Sequence, residues 1–356
     1  MSIPIQNIYY LLCYAWNKLD ERDRVAVSAD GCTELVDLFA KVLIQASKIL
    51  LKRGIDRNYV PYEASIPGIK GKLALSETIK TNSLLRQRTV CQFDEFSPDI
   101  PTNQILLTTL YQLYRVKALD EGLKTGIRRL LPMFPDVQPI ALKSSTFRQL
   151  RLHRNNHFYD FILKVCELIH ENLLPDERPG YFRFADFRRD DQQMAKLYEE
   201  FLFQFYRKEQ QLFAVSREQI RWKFDAPKLE DLNYLPSMYT DITLRNKTEK
   251  IIIDAKYYRQ ALTSRFEVDK LISSNLYQIF SYLLNQERES DPASLTARGV
   301  LLYPLTGPPL DLSFRYGRHE IQVKTVDLNA HWREIEGRLL GVVKIHQTLD
   351  LSKQMS

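Results

Sequence analysis

Met238-Tyr239-Thr240-Asp241-Ile242-Thr243-Leu244, the polar run Arg245-Asn246-Lys247-Thr248-Glu249-Lys250 and Ile251-Ile252-Ile253-Asp254-Ala255-Lys256-Tyr257-Tyr258 follow one another without interruption. Two apolar, β-branched runs on either side of a short polar one read as a β-hairpin. A triplet of isoleucines running straight into Asp254 has the pattern of a buried central strand. Ionised carboxylate and ammonium groups there are costly unless paired or bound to metal. Side chains alternate along a strand, so Asp254 and Lys256 fall on one face, and Asp241 can sit across the hairpin beside them.

Two carboxylates and one ammonium gathered in this way suit a hard cation. Mg²⁺ keeps several of its waters, holds a phosphate oxygen and lowers the pKa of a bound water, and Lys256 is then placed to stabilise developing negative charge. The plain alternative is a buried ion pair in which Asp254 and Lys256 only neutralise each other, and a D-x-K triplet alone does not decide between them. Asp241, on the partner strand, and the following helix favour the metal site.

That helix is expected over residues 267–286. It carries Gln278 and Tyr282 on one face by i, i+4 spacing, and a strand follows at Gly299-Val300-Leu301-Leu302-Tyr303. Upstream, Met194, Leu197, Tyr198, Phe201, Leu202 and Phe205 form the apolar stripe of a helix that also bears Glu199 and Glu200, and extended segments are expected around 212–215 and 219–224. The order helix, strands, D, hairpin, D-x-K, helix with Q-x-x-x-Y, strand resembles the restriction-endonuclease-like core, in particular its Q-x-x-x-Y branch. The resemblance implies a central mixed sheet flanked by helices, with Gln278 and Tyr282 positioning substrate. It also implies a glutamate on the first core helix that completes the metal site. Glu199 matches that position better than Glu200, although helical geometry alone does not separate the two.

The N-terminal half reads as mixed helical and β-rich. Asn7 is placed to cap a first helix with Ile8, Leu11, Leu12, Ala15 and Trp16 at helical spacing, and a second helix is expected over 33–52. Residues 58–96 read as short extended pieces broken by Pro67-Gly68 and Gly71, and helices return over 103–117 and 158–174. Arg148, Arg151, His153 and Arg154 with Phe147 and Phe158 form a basic stretch mixed with aromatics, which is either a phosphate-tracking surface or an ordinary solvated face. Pro175-Asp176-Glu177-Arg178-Pro179-Gly180 is the best linker, giving domains 1–180 and 181–356, and the polar tail from Ser352 reads as frayed.

Composition sets the class. Hydrophobic residues at 44% allow a real core, and 50 Lys+Arg against 44 Asp+Glu give a modestly basic +6 that tolerates a polyanion partner without demanding one. No apolar run reaches bilayer length and the start lacks the order of a signal peptide, so a cytoplasmic protein with no membrane partner is expected. The four cysteines show no metal-ligand spacing and imply neither a zinc site nor a disulfide framework.

Beyond the core, the chain is similar throughout to the McrC family, the nuclease subunits of GTP-driven, modification-dependent McrBC restriction systems. The matching segments are Ile8-Tyr9-Tyr10-Leu11-Leu12-Cys13-Tyr14-Ala15-Trp16, Ile66-Pro67-Gly68-Ile69-Lys70-Gly71-Lys72, Tyr181-Phe182-Arg183-Phe184, Thr240-Asp241-Ile242-Thr243 and Asp254-Ala255-Lys256-Tyr257-Tyr258. Where the family commonly has N-R-hydrophobic, this chain has Asn103-Gln104-Ile105, without the arginine. The resemblance implies a Mg²⁺-dependent endonuclease acting on double-stranded DNA with modified cytosine. It also implies a McrB-like AAA+ GTPase hexamer as partner, which the N-terminal half, including the β-rich segment around 67–72, enters and stimulates. The chain has no G-x-x-x-x-G-K-[ST] loop of its own. A standalone repair nuclease and a non-catalytic AAA+ activator are the rival readings.

Overall fold

The structure is a computed structural model that describes residues 3–25, 31–32, 34–152, 156–258, 262–265 and 268–344. The chain forms two compact units, one of residues 18–186 and one of residues 1–17 with 187–356. The first helix, α1 (Ile5–Ala15), therefore belongs with the C-terminal half rather than with the first 180 residues. Asn7 is not its cap. The cap position is Pro4, and Asn7 is buried in the first turn, where its Nδ2 donates to Leu328 O at 2.7 Å and Ala330 O at 3.0 Å.

In the unit of residues 18–186, helices α2 (Leu35–Arg53), α3 (Pro101–Tyr114) and α4 (His157–Asn172) pack together beside a three-stranded sheet. In that sheet β1 (Asn58–Ile66) and β2 (Lys72–Leu73) each pair antiparallel with β3 (Thr89–Ser97). Gly71 is obligatory at the turn into β2. It has φ +68°, and a Cβ there would lie 2.4 Å from Gln92 O. Asn103 is fully buried and committed, its Nδ2 donating to Asp56 O and Pro98 O and its Oδ1 accepting from Tyr159 Oη.

The expected linker 175–180 is instead the turn of a small hairpin, Leu173–Pro175 paired with Phe182–Phe184. Proline and glycine among charges mark a tight turn as well as a linker, and here Asp176 N donates to Tyr181 O while Gly180 takes φ +82°. Of the basic stretch, His153 and Arg154 lie outside the described residues, as does the tail from Ser352.

The C-terminal unit is built on a six-stranded mixed sheet. Its strands are β4 (Ala214–Ser216), β5 (Ile242–Arg245), β6 (Lys250–Ala255), β7 (Arg298–Pro304), β8 (Asp311–Tyr316) and β9 (His319–Val326), in the order β8-β9-β7-β6-β5-β4. β6 is central, antiparallel to β5 and parallel to β7, and its apolar run Ile251-Ile252-Ile253 is buried, as a strand flanked on both sides needs. Helices α5 (Asp191–Glu209), α6 (Ser273–Gln286) and α7 (Trp332–Val343) pack against the sheet and α1. The fold is thus mixed α/β with a central mixed sheet flanked by helices, as expected.

Local chemistry explains the elements around the site. Asp190 caps α5 by accepting from Gln192 N and Gln193 N, and the expected apolar stripe of that helix is buried. The β5–β6 turn is Asn246–Glu249, because Arg245 and Lys250 already pair. Asn246 Oδ1 accepts from Thr248 N and Glu249 N. Helix α6 begins at Ser273 rather than near 267. Residue 267 lies outside the described chain, and Leu262–Arg265 pairs antiparallel with Val268–Leu271, which takes the backbone out of helical geometry. Gly299 of β7 lets α6 lie close. A Cβ there would meet Ile279 Cγ1 at 2.7 Å and Leu283 Cδ1 at 3.1 Å.

Candidate metal centre

The run 238–244 does not form one strand. Met238–Tyr239 pairs with Gln219–Ile220, Ile242–Arg245 pairs with β6, and Asp241 occupies the break between them. Its side chain is free to turn toward the end of β6, where Ala255 N donates to Asp241 Oδ2 at 2.8 Å. Asp254, the penultimate residue of β6, is completely buried. Lys256 Nζ forms an ion pair with Asp254 Oδ2 at 2.8 Å, and Asp254 Oδ1 accepts from no described donor. Asp241, Asp254 and Lys256 are thereby brought together.

Electrostatics follow from burial. Loss of water pushes the Asp254 carboxyl up to about 7, the ammonium of Lys256 pulls it back down, and Asp241 adds to the rise. Asp241 is also raised by burial, against the Ala255 N–H and Lys256. For Lys256 burial favours the neutral amine, but the Asp254 carboxylate outweighs it and holds the group above its ordinary value. The two aspartates therefore face each other as a pair that resists full ionisation without an added cation.

Lys256 also donates to Gln278 Oε1 at 2.9 Å, Gln278 Nε2 donates to Tyr282 Oη at 2.7 Å, and Tyr282 Oη donates to Tyr239 O at 2.8 Å. Gln278 and Tyr282 thus form a chain that ends on Lys256. Tyr282 is buried and its hydroxyl is committed at both ends, so within this chain it orients Gln278. Behind it, Asn275 Nδ2 donates to Tyr303 Oη at 2.9 Å.

Glu199 and Glu200 separate clearly. Glu200 Oε1 accepts from Gln204 Nε2 at 2.8 Å and its Oε2 from Arg217 Nη2 at 2.7 Å. Glu199 has a looser 3.3 Å contact with Arg217, and its carboxyl is pushed up by burial and by Asp241, with Arg217 and then Lys256 opposing. Glu199 therefore feels the pair. Among the described residues, however, no three His, Cys, Asp or Glu side chains gather closely enough to form a ready-made cage.

Sequence reasoning missed Arg217, whose Nε donates to Asp241 O at 3.2 Å and whose guanidinium lies 4.4 Å from the Phe203 ring centroid. It sits between two short strands in a stretch with no periodic signal, and only the fold brings it to α5 and Asp241.

The donor set fits a hard divalent cation. Two carboxylates converge, one buried oxygen has no partner, and Mg²⁺ takes one or two carboxylates while keeping waters in its remaining positions. Asp241 and Asp254 would hold it.

A mixed α/β sheet with a carboxylate pair and a lysine at the end of its central strand defines the class. Comparison with known proteins gives the family: residues 6–304 match the family model described as McrBC 5-methylcytosine restriction system component. The chain is 32% identical over 340 residues to the type IV methyl-directed restriction enzyme EcoKMcrBC of Escherichia coli strain K12, covering 96% of this chain and 97% of that one. It belongs to the family of McrBC restriction system components. Its fold is similar, with TM-score 0.59 and 18% identity over 96% of this chain and 76% of the other, to a chain of a half-complex from a tetradecameric assembly of Thermococcus gammatolerans McrB AAA+ hexamers with bound McrC. No described helix is long and apolar enough to cross a membrane.

Proposed function

We propose that the chain is a McrC-type, DNA-cutting subunit of a two-component restriction complex. It hydrolyses phosphodiesters of double-stranded DNA containing modified cytosine, with Mg²⁺ held by Asp241 and Asp254, and it docks on and stimulates a McrB-like AAA+ GTPase hexamer. The observation that carries this reading is the fully buried Asp254, with an unpartnered oxygen, set beside Asp241 and Lys256.

Mg²⁺, when bound, supplies Lewis-acid polarisation of a phosphate oxygen and a water of lowered pKa. The chain supplies the rest. The Ala255 N–H fixes the Asp241 carboxylate, and Asp254 presents Oδ1. Lys256 is kept charged by Asp254 and aimed by Gln278, placing a fixed positive group where charge develops on the phosphate. Glu199, next to the pair, is placed to add a ligand or to accept a proton from the attacking water. In this reading Gln278 and Tyr282 serve the substrate through Lys256.

Membership of the McrBC family and the fold shared with a chain of the assembly of McrB AAA+ hexamers with bound McrC support the partner. The unit of residues 18–186 offers a docking surface. Its sheet and the adjoining turns expose Tyr59, Ile69, Leu84, Leu85 and Phe96 to solvent.

The decisive experiment is Mg²⁺-dependent cleavage of cytosine-methylated plasmid with GTP and the cognate ring GTPase, comparing the chain with its Asp254→Ala variant while GTP turnover is followed. Loss of cutting with GTPase stimulation retained is expected. Equal cutting by both proteins would move the chemistry elsewhere.

A further inference from the structure

Arg217 bridges three parts of the candidate metal centre at once. Its Nη2 bonds Glu200 Oε2 at 2.7 Å and approaches Glu199 Oε1 at 3.3 Å, and its Nε bonds the backbone carbonyl of Asp241 at 3.2 Å. Its guanidinium also packs on Phe203 of the same helix. Such a fork-shaped, permanently charged group is held by several weak attachments rather than one, and it is more than a third exposed.

The two glutamates are not equivalent partners. Glu200 is saturated, with Gln204 on one oxygen and Arg217 on the other, so it anchors the guanidinium. Glu199 holds the weaker contact, and the same guanidinium bonds the Asp241 carbonyl, which ties Glu199 to that aspartate; burial and Asp241 push the Glu199 carboxyl up, with Arg217 opposing. Without a cation beside it, a half-buried carboxylate next to another carboxylate is unfavourable, and Arg217 supplies that cation.

We propose that Arg217 is a positioning residue that acts as a resident counter-ion. Anchored by Glu200, it holds Glu199 beside Asp241 until a divalent cation binds, and then yields Glu199 to the metal site. The proposal rests on the metal-site reading above. It assigns to Arg217 and Glu200 a role in setting metal affinity through Glu199.

The test is a thermodynamic cycle read by direct Mg²⁺ titration in a calorimeter, on the full chain without DNA. The proteins are wild type, Arg217→Gln, Arg217→Lys, Glu199→Gln, the Arg217→Gln/Glu199→Gln double variant and Asp254→Ala. If Arg217 competes with the cation for Glu199, Arg217→Gln tightens Mg²⁺ binding about 5-fold when Glu199 is present and less than about 2-fold in the Glu199→Gln background. An equal tightening in both backgrounds would overturn the proposal, because it would reflect only the loss of one nearby charge. A weakening by Arg217→Gln would overturn it as well. Mg²⁺ binding that Asp254→Ala leaves unchanged would instead sink the metal-site reading, and the counter-ion role with it. Circular dichroism of each variant shows that it is folded, and Arg217→Lys, which keeps the charge but not the fork, tightens Mg²⁺ binding by less than Arg217→Gln does.

Discussion

Burial keeps a proton on Asp254 in the metal-free fold up to about pH 7, while the unfolded chain gives it up near the ordinary carboxyl value of about 3.9. The folded state therefore binds more protons than the unfolded one between these values, and stability falls as pH rises through that window. Asp254→Asn removes the penalty. The metal-free variant should melt higher than wild type by roughly 2–5 °C at pH 8, with the gap closing toward pH 5, as thermal melts in a chelator would show. A substitution that lowered the melting point at pH 8 would contradict the burial argument. Gln278→Leu addresses the hydrogen-bond chain. It takes away the acceptor that aims Lys256, so kcat should fall by roughly 10-fold with KM unchanged, whereas a rise in KM would assign Gln278 to direct substrate contact. The grouping of Asp241, Asp254 and Lys256 was legible from sequence because the isoleucine triplet marks a buried strand ending at Asp254, although Asp241 reaches it from a break between strands rather than from the partner strand. The order in which Gln278 and Tyr282 act was not, since i, i+4 spacing places them on a common face without saying which neighbour each meets. Arg217 was invisible for a further reason, because its partners are 17, 18 and 24 positions away in sequence.

Secondary-structure elements tell a similar story about local and tertiary control. The central strand, the α5 stripe and the α6 face follow from periodicity, which burial then rewards. Residues 175–180 show the limit, because prolines and glycine report a chain reversal without saying whether it joins two domains or two strands. At this scale Gly299 matters most. A methyl there would press Ile279 and Leu283, tilt α6 away from β7 and carry Gln278 with it. Gly299→Ala should cost about 1–3 kcal/mol in denaturant unfolding. It should also lower cutting in the same sense as Gln278→Leu, and an unaltered midpoint would show that α6 does not rest on this contact. The β5–β6 turn is more tolerant. Asn246→Ala, which strips the acceptor from Thr248 N and Glu249 N, should cost only about 1 kcal/mol and leave cleavage near wild type.

Across the whole molecule, the C-terminal unit is not continuous in sequence, because α1 supplies part of its core. Tyr14 packs against Phe201, Phe205 and Trp332 and donates to Glu209, while Ile8, Leu11 and Leu12 are buried. Each such side chain is worth about 1.5–3 kcal/mol of transfer from water. A protein starting after residue 17 should therefore unfold at least roughly 10 °C lower or precipitate, as circular dichroism melts would report, whereas wild-type melting would show α1 to be dispensable. The sequence could not show this, since an amphipathic helix carries no mark of which core it serves. One consequence belongs to synthesis rather than to the finished fold. Residues 18–186 can close on themselves as they leave the ribosome, but α1 must wait for partners that end near residue 343. At about 5–20 residues per second that interval is on the order of tens of seconds. During it the first apolar helix is without the side chains that bury it, and Asp241 and Asp254, the proposed metal-binding pair, emerge only after more than two thirds of the chain has been made.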